Sequence, residues 1–251
     1  MRQLTQAEAI ELFHLAFLGV LPTRVDPKCY VLKGGANLRY FFDSVRYSED
    51  IDLDVNRLKK WQLEQKVDAV LNSVPLERIL RISDLVLDEF TKPKQTSTTQ
   101  RWKIKLTVGG HSAAIRTKIE LSHREGDSRY QLDYVPDRII NAYATRPVSA
   151  QHYEASAALE QKVLALASRS ETQARDVFDL DLLMRRGGFT PPVLGPQAIA
   201  QATDRAFELP FDAFRDQVVR FLEPEMIELY DSQEVWERMQ TYVADGIESF
   251  Q

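Results

Sequence analysis

The sequence predicts an α/β part over residues 1–150 joined to an all-helical part over residues 151–251. Three observations carry this reading. Short runs with period-two alternation, cut by glycines and prolines, recur through the first part. From Ala155 onward, four segments keep helical periodicity and no convincing strand remains. No Gly/Ser-rich linker separates the parts, so the two are expected to pack closely.

The first helix is expected to start at Thr5, with Glu8 as its capping-box partner and Ile10, Phe13, Phe17 and Val20 as its apolar stripe. Pro22 and Pro27 end it. Tyr30-Val31-Leu32 reads as a short buried strand running into Gly34-Gly35, and a helix follows through Leu38, Tyr40 and Phe41. A second strand, Ile51 to Val55, precedes a helix near 57–72. Leu80 to Phe90 reads as a further strand. Arg101–Val108 and Ala113–Leu121 flank Gly109-Gly110 as a hairpin. The helical part then comprises Ala155–Ser168, Gln173–Arg186, Gln197–Phe207 and Glu234–Ile247.

With 251 residues, 44% hydrophobic and 27% charged, the chain has ordinary globular usage, which excludes a mainly disordered, collagenous or disulfide-scaffold protein. No run approaches the roughly 20 consecutive apolar residues of a membrane span. The N-terminal segment reads as an amphipathic helix and not a signal peptide, because Glu8, Glu11 and His14 interrupt its apolar residues. Cys29 is the single cysteine, so an internal disulfide and a Cys-rich zinc site are both excluded. With no export signal, a reducing cytoplasm is the expected compartment. His14, His111, His123 and His152 have no metal-ligand spacing, and no P-loop, Rossmann or G-x-S-x-G pattern occurs.

The net charge of −5 conceals an asymmetry. Between Thr91 and Arg124 stand Lys92, Lys94, Arg101, Lys103, Lys105, Arg116, Lys118 and Arg124 against one acid, Glu120. That segment carries +7 and the remainder −12, so local charge decides what partners the surface attracts.

The chemistry-bearing stretch is Lys33-Gly-Gly-Ala-Asn-Leu-Arg39 followed by Arg46-Tyr-Ser-Glu-Asp-Ile-Asp-Leu-Asp-Val55. On a strand, Ile51, Leu53 and Val55 turn to the core while Asp50, Asp52 and Asp54 share the other face. Carboxylates two residues apart lie about 6.6 Å apart at Cα, close enough for their oxygens to converge on a hard cation. D-x-D alternation alone also describes a solvated strand face, and Gly34-Gly35 alone also describes a tight turn. Together they place a carboxylate pair beside a glycine-rich helix start that can receive a phosphate.

This combination resembles the AbiEii/AbiGii toxin family of the nucleotidyltransferase superfamily. Arg46-Tyr47-Ser48-Glu49-Asp50-Ile51-Asp52-Leu53 is similar to its Arg-aromatic-Ser-x-Asp-hydrophobic-Asp strand. Lys118-Ile119-Glu120-Leu121 is similar to its Lys-hydrophobic-Glu strand, and Arg175-Asp176-Val177-Phe178-Asp179-Leu180 to its Arg-Asp-x-aromatic-Asp-Leu helix. Glu160-Gln161-Lys162 gives a looser match to the helix that precedes it, and Ala36 replaces a hydroxyl residue common after the glycines. The likeness runs in order from about Val31 to Met184. It implies a nucleotidyltransferase-type mixed sheet flanked by helices, with the helical part completing the nucleotide cleft.

It also implies roles. Asp50 and Asp52 would hold Mg²⁺ or Mn²⁺ against the triphosphate of an NTP co-substrate. Glu120 would bind a second metal or take the proton of the attacking hydroxyl; read from the residues alone, it could equally form a cross-strand ion pair with Lys103 or Lys105. Gly34, Gly35 and the Ser48 hydroxyl would contact phosphate. Lys162, otherwise a solvated lysine beside the apolar Val163, Leu166 and Ala167, would bind the triphosphate as a point charge. Asp176 and Asp179 stand one helical turn apart, so either could approach the site; the Arg-Asp match favours Asp176 as a catalytic carboxylate, with Asp179 instead capping or bracing the helix packing. The implied activity is transfer of NMP to an acceptor hydroxyl, plausibly the 3′ end of tRNA, by the toxin of a toxin–antitoxin pair with a cognate antitoxin as partner. Transfer to a protein or small molecule, and a non-catalytic nucleotide-fold binding protein, are the alternatives. No membrane association is expected.

Overall fold

The computed structural model describes residues 4–109, 114–123 and 129–250. Gly110, His111, Ala113 and Arg124 lie outside the described residues. The chain divides into two compact units, one of Met1–Phe41 with Tyr47–Tyr153 and one of Phe42–Arg46 with Glu154–Gln251.

In the first unit, α1 (Gln6–Val20) starts where the sequence indicates. The Thr5 hydroxyl accepts from the Glu8 N–H at 3.2 Å, and the Glu8 carboxylate accepts from the Thr5 N–H at 2.8 Å, which satisfies two of the helix's orphan donors. The amphipathic reading is corrected: nearly every side of α1 is buried, Glu11 and His14 included. Glu11 accepts from Arg39 Nε at 2.7 Å and from the Tyr143 hydroxyl at 2.6 Å. His14 donates to the Thr117 hydroxyl at 2.8 Å, which donates in turn to the Glu49 carbonyl at 2.7 Å. Burial holds the His14 ring neutral, its pKa lowered to about 3. The polar residues that read as a solvated face are therefore interior groups with partners.

Among the described residues the sheet has seven strands: β1 (Tyr30–Lys33), β2 (Asp50–Val55), β3 (Leu85–Gln95), β4 (Thr99–Val108), β5 (Ile115–His123), β6 (Tyr130–Tyr134) and β7 (Ser149–Tyr153). Their order is β3-β4-β5-β2-β1-β7-β6. It is mixed, because β2 runs parallel to β5 and β1 parallel to β7 while the other pairs are antiparallel. Between the strands lie α2 (Gly34–Phe41), α3 (Lys60–Leu71), α4 (Val74–Arg81) and α5 (Asp137–Ala142). One apolar cluster unites α1 with inward residues of the sheet, among them Ile51, Leu53, Trp102, Leu106, Ile119 and Leu121.

The strand expected from Leu80 to Phe90 is corrected. Its first residues end α4, and β3 starts only at Leu85. The Ser73 hydroxyl caps α4 by accepting from the Leu76 N–H, Pro75 lies in its first turn, and Leu76 and Leu80 bury one stripe at i, i+4. Asp84, with φ of 53°, then turns the chain into the strand. The β4–β5 pair forms as expected, with Trp102 opposite Ile119.

The second unit is built on α6 (Ala155–Ser168), α7 (Ala174–Arg186), α8 (Pro196–Ala206), α9 (Phe211–Gln217), α10 (Pro224–Tyr230) and α11 (Gln233–Glu248). Val163, Leu166, Val177, Leu180, Phe214, Trp236 and Val243 form its fully buried centre. Trp236 stacks on Phe214 at 4.5 Å and donates its indole N–H to the Leu209 carbonyl at 3.0 Å. The short 42–46 segment is part of this unit: Arg46 bridges to Leu222, and the Glu223 N–H donates to the Val45 carbonyl at 2.9 Å. Among the described residues, no helix is long and apolar enough to cross a membrane.

Candidate active site

β2 presents the alternation its sequence dictates. Ile51, Leu53 and Val55 are at most 1% exposed, while Asp50 and Asp52 lie half-buried on the opposite face. The parallel register with β5 sets Asp50 beside Lys118 and Asp52 beside Glu120. Across β4, Arg101 stands opposite Glu120. The structure thus brings Asp50, Asp52 and Glu120 together on one sheet face.

The three carboxylates differ in their partners. Asp50 is ion-paired with Lys118 at 2.7 Å, and Glu120 with Arg101 at 2.6 Å. The cross-strand partner of Glu120 is therefore Arg101, where residue chemistry alone pointed to Lys103 or Lys105. Asp52 has no hydrogen-bond or ion-pair partner among the described residues. Its carboxyl pKa is raised, first by burial and then by the charge of Asp50, with Lys33 pulling it down, Glu120 pushing it up and Lys118 pulling it down. A half-buried carboxylate beside two others is a site with unmet demand for positive charge.

Asp54 shares the face but is a structural group. It is buried, ion-paired with Lys33, and accepts from the Tyr153 hydroxyl at 2.8 Å. Lys33 sits opposite Asp52 in register, so one lysine neutralises the third aspartate and biases the second. Sequence reading missed this lysine. The available signal was its place one residue before the glycines, on a strand pairing with β2.

Gly34 has φ of 69°, a conformation L side chains rarely adopt, and a Cβ there would stand 2.9 Å from Asp52 Oδ2. The glycine is required twice, by its own backbone and by the carboxylate seated against it. Gly35 follows in the first turn of α2, and Ala36 is fully buried. Gly34→Ala is expected to cost about 1–2 kcal/mol from the left-handed backbone alone and to displace Asp52, lowering both the urea midpoint and any transfer activity. An unchanged midpoint and unchanged activity would contradict this account of the turn. Ser48 precedes β2 and donates to the Asp50 carbonyl at 2.7 Å, which fixes the strand's entry and leaves its oxygen lone pairs as acceptors.

Hard oxygen donors and an unpartnered carboxylate suit Mg²⁺ or Mn²⁺. Among the described residues, no three His, Cys, Asp or Glu side chains are gathered to hold a metal alone. Asp50 and Asp52 would accordingly supply part of a coordination shell that phosphate oxygens and water complete.

In the helical unit, Lys162 departs from the solvated lysine the sequence suggested. Its side chain is 11% exposed and reaches Asp176 at 3.0 Å and Asp179 at 2.6 Å. Asp176 is also ion-paired with Arg169 at 2.7 Å, and Asp179 accepts from Arg46 Nη2 through both oxygens at 3.1 Å. Both aspartates are fully buried. Burial alone would raise the Asp179 pKa, but Arg46 and Lys162 outweigh it and hold the group below the usual carboxylate value. Asp179 therefore braces the unit's interior by charge as well as by helix packing. Lys162 neutralises two buried carboxylates, so it supports the packing of this unit.

Residues 16–250 match the family described as nucleotidyl transferase AbiEii toxin of type IV toxin–antitoxin systems. The crystal structure of JHP933 from Helicobacter pylori superposes with a TM-score of 0.57 at 18% identity, over 99% of this chain and 96% of that one. A second H. pylori protein, described as a candidate nucleotidyltransferase, superposes with a TM-score of 0.55 at 17% identity, over 97% of this chain and 96% of that one. At these identities the likeness is one of fold. No curated protein matches in sequence.

Proposed function

Because the chain belongs to the AbiEii nucleotidyl transferase toxin family, we propose that it transfers NMP from a bound NTP to an acceptor hydroxyl at the 3′ end of tRNA, with Asp50 and Asp52 as ligands of Mg²⁺ or Mn²⁺. As a member of a type IV toxin–antitoxin family it has an antitoxin as its partner. The observation that carries the catalytic reading is Asp52, a half-buried carboxylate without a partner, with its pKa raised and Asp50 and Glu120 beside it. A protein acting by binding alone has no use for a charge left in that state.

In this reading the acceptor oxygen forms a bond to the α-phosphorus, the bond to the β-phosphate bridging oxygen breaks, and pyrophosphate leaves. The hydroxyl proton passes to a carboxylate, for which Glu120 is the nearest neighbour of Asp52 across the β2–β5 register. Bound metal supplies charge neutralisation for the triphosphate and the leaving pyrophosphate. Asp50 and Asp52 hold and orient it, Gly34 lets the backbone approach the phosphates, and Ser48 keeps the β2 entry in place. From the family likeness alone we also propose phosphate charge for Lys162 and a catalytic carboxylate for Asp176; within the helical unit the two are engaged with each other, with Asp179 and with Arg169.

Incubation with each of the four NTPs, labelled at the α-phosphate, and total cellular RNA tests this reading. Label should enter RNA of tRNA size from at least one NTP and vanish in EDTA. Label in protein or in a small molecule instead would replace the acceptor, and no label in any fraction would remove the reading.

A further inference from the structure

The face that carries Asp50, Asp52 and Glu120 continues outward across β5, β4 and β3, and its register can be read row by row. From Asp50 the row runs Lys118, Lys103, Thr91; from Asp52 it runs Glu120, Arg101, Lys94. A third row pairs Arg116 with Lys105 and then Glu89. Like charges stand directly opposite one another at Lys103–Lys118 and at Lys105–Arg116, an arrangement that destabilises an antiparallel pair. Arg101 and Lys118 each have a carboxylate partner. Lys94, Lys103, Lys105 and Arg116 have none among the described residues, and Lys103 and Arg116 are exposed.

Two simpler explanations do not account for this face. Edge strands carry lysines to discourage pairing with other chains, but β4 and β5 are interior strands, and β3 is the edge. Solvation of an exposed face explains charges, but not four unpaired charges of one sign in a chain whose remainder is −12. The same segment shows the ordinary alternative: Lys92 is paired with Glu64 at 2.7 Å and Asp68 at 2.9 Å on α3, and so does not join the cluster.

We infer that the outer face of β3, β4 and β5 is where the acceptor RNA is held by its phosphates, with Lys103, Lys105, Arg116 and Lys94 as the contacts. The identity of the acceptor rests on the proposed nucleotidyl transfer; the surface rests on the charge ladder. Strands are spaced about 4.8 Å apart, so Lys103 stands two strands, about 10 Å, from Asp50. A backbone laid on these rows would have its terminal hydroxyl led to the carboxylates, and phosphate contacts would fix its position without reading its bases.

The test is equilibrium binding of 5′-fluorescein-labelled tRNA, without NTP, by anisotropy between 50 and 200 mM salt. Lys103→Ala/Lys105→Ala should reduce the slope of log K against log salt by about 2 and weaken binding at least tenfold at the lowest salt. Lys28→Ala/Lys60→Ala, a control that removes two exposed lysines elsewhere, should leave slope and affinity at the wild-type values. The denaturant midpoint of the test variant should not fall, since each substitution relieves a like-charge pair. Equal slopes in the wild type and the test variant, or an equal loss in the control, would overturn the surface. RNA that binds with the expected slopes yet never takes label from an NTP upholds the surface and removes the acceptor assignment. Undiminished labelling of RNA by the test variant at 200 mM salt removes the surface and leaves the transfer reading intact.

Discussion

Asp52→Asn is expected to lower nucleotide transfer by about 10³-fold or more while making the folded protein harder to denature at neutral pH. The two effects share one cause. The wild-type carboxyl is half-buried, has no partner among the described residues, and lies beside Asp50 and Glu120, so its pKa is raised above the unfolded value. The folded state then keeps the proton to higher pH than the unfolded chain does. Stability contributed by this group is present below the unfolded value and falls as pH rises through the raised one. An uncharged amide of the same shape removes that loss, so the variant's advantage should open across this window and close at low pH. Mg²⁺ with NTP should raise the wild-type unfolding temperature and leave the variant's unmoved, because a ligand stabilises only the state that binds it. Asp50→Ala should lose activity to a similar extent without the stability gain, since it strips Lys118 of its ion-pair partner. Full activity in either variant would exclude the pair as metal ligands.

Asp179→Ala is expected to lower stability by about 3–5 kcal/mol. The aspartate is fully buried and faces Arg46, itself 3% exposed, and Lys162. Removing it takes from the buried guanidinium the carboxylate that receives Nη2 through both oxygens, whereas Lys162 retains Asp176. Because Arg46 and Lys162 lower the Asp179 pKa against the effect of burial, its contribution is present above the unfolded carboxylate value and is lost as pH falls through the folded one. Urea unfolding at neutral pH measures the loss. Replacing Arg46 and Asp179 together by Met and Leu should cost less than the sum of the two single truncations, because the pair is then removed as a unit. A single variant within about 0.5 kcal/mol of wild type would show that the pair is not the brace described here.

Much of the site was legible because its signals are local. The D-I-D-L-D-V alternation fixes which residues of β2 face the core, and the capping box at Thr5 fixes where α1 starts, each within a few residues. What was illegible depends on partners far along the chain. Lys162 looks solvated beside Val163 and Leu166 until Asp176, Asp179 and Arg46 come to meet it. Glu11 and His14 look like the wet side of an amphipathic helix until Arg39, Tyr143 and Thr117 satisfy them. The split of 74–95 into a helix and a strand was hidden because apolar residues recur on both sides of the junction, at Leu80, Ile82, Leu85 and Leu87, with only Ser73, Pro75 and Asp84 to mark it. The short β6 and β7 and the one-turn-and-a-half α5 carry too few residues for periodicity to register. Lys33 was visible, but its role appears only when β1 and β2 are laid side by side.

The most direct measurement of the central claim follows the two ends of the triphosphate separately. Wild type and Asp52→Asn are each incubated with RNA, Mg²⁺ and the preferred NTP, labelled in parallel at the α- and at the γ-phosphate. Nucleotidyl transfer by this site predicts α-label in RNA and γ-label in pyrophosphate, both from the wild type and neither from the variant. γ-Label in RNA, or α-label transferred equally well by Asp52→Asn, would contradict it.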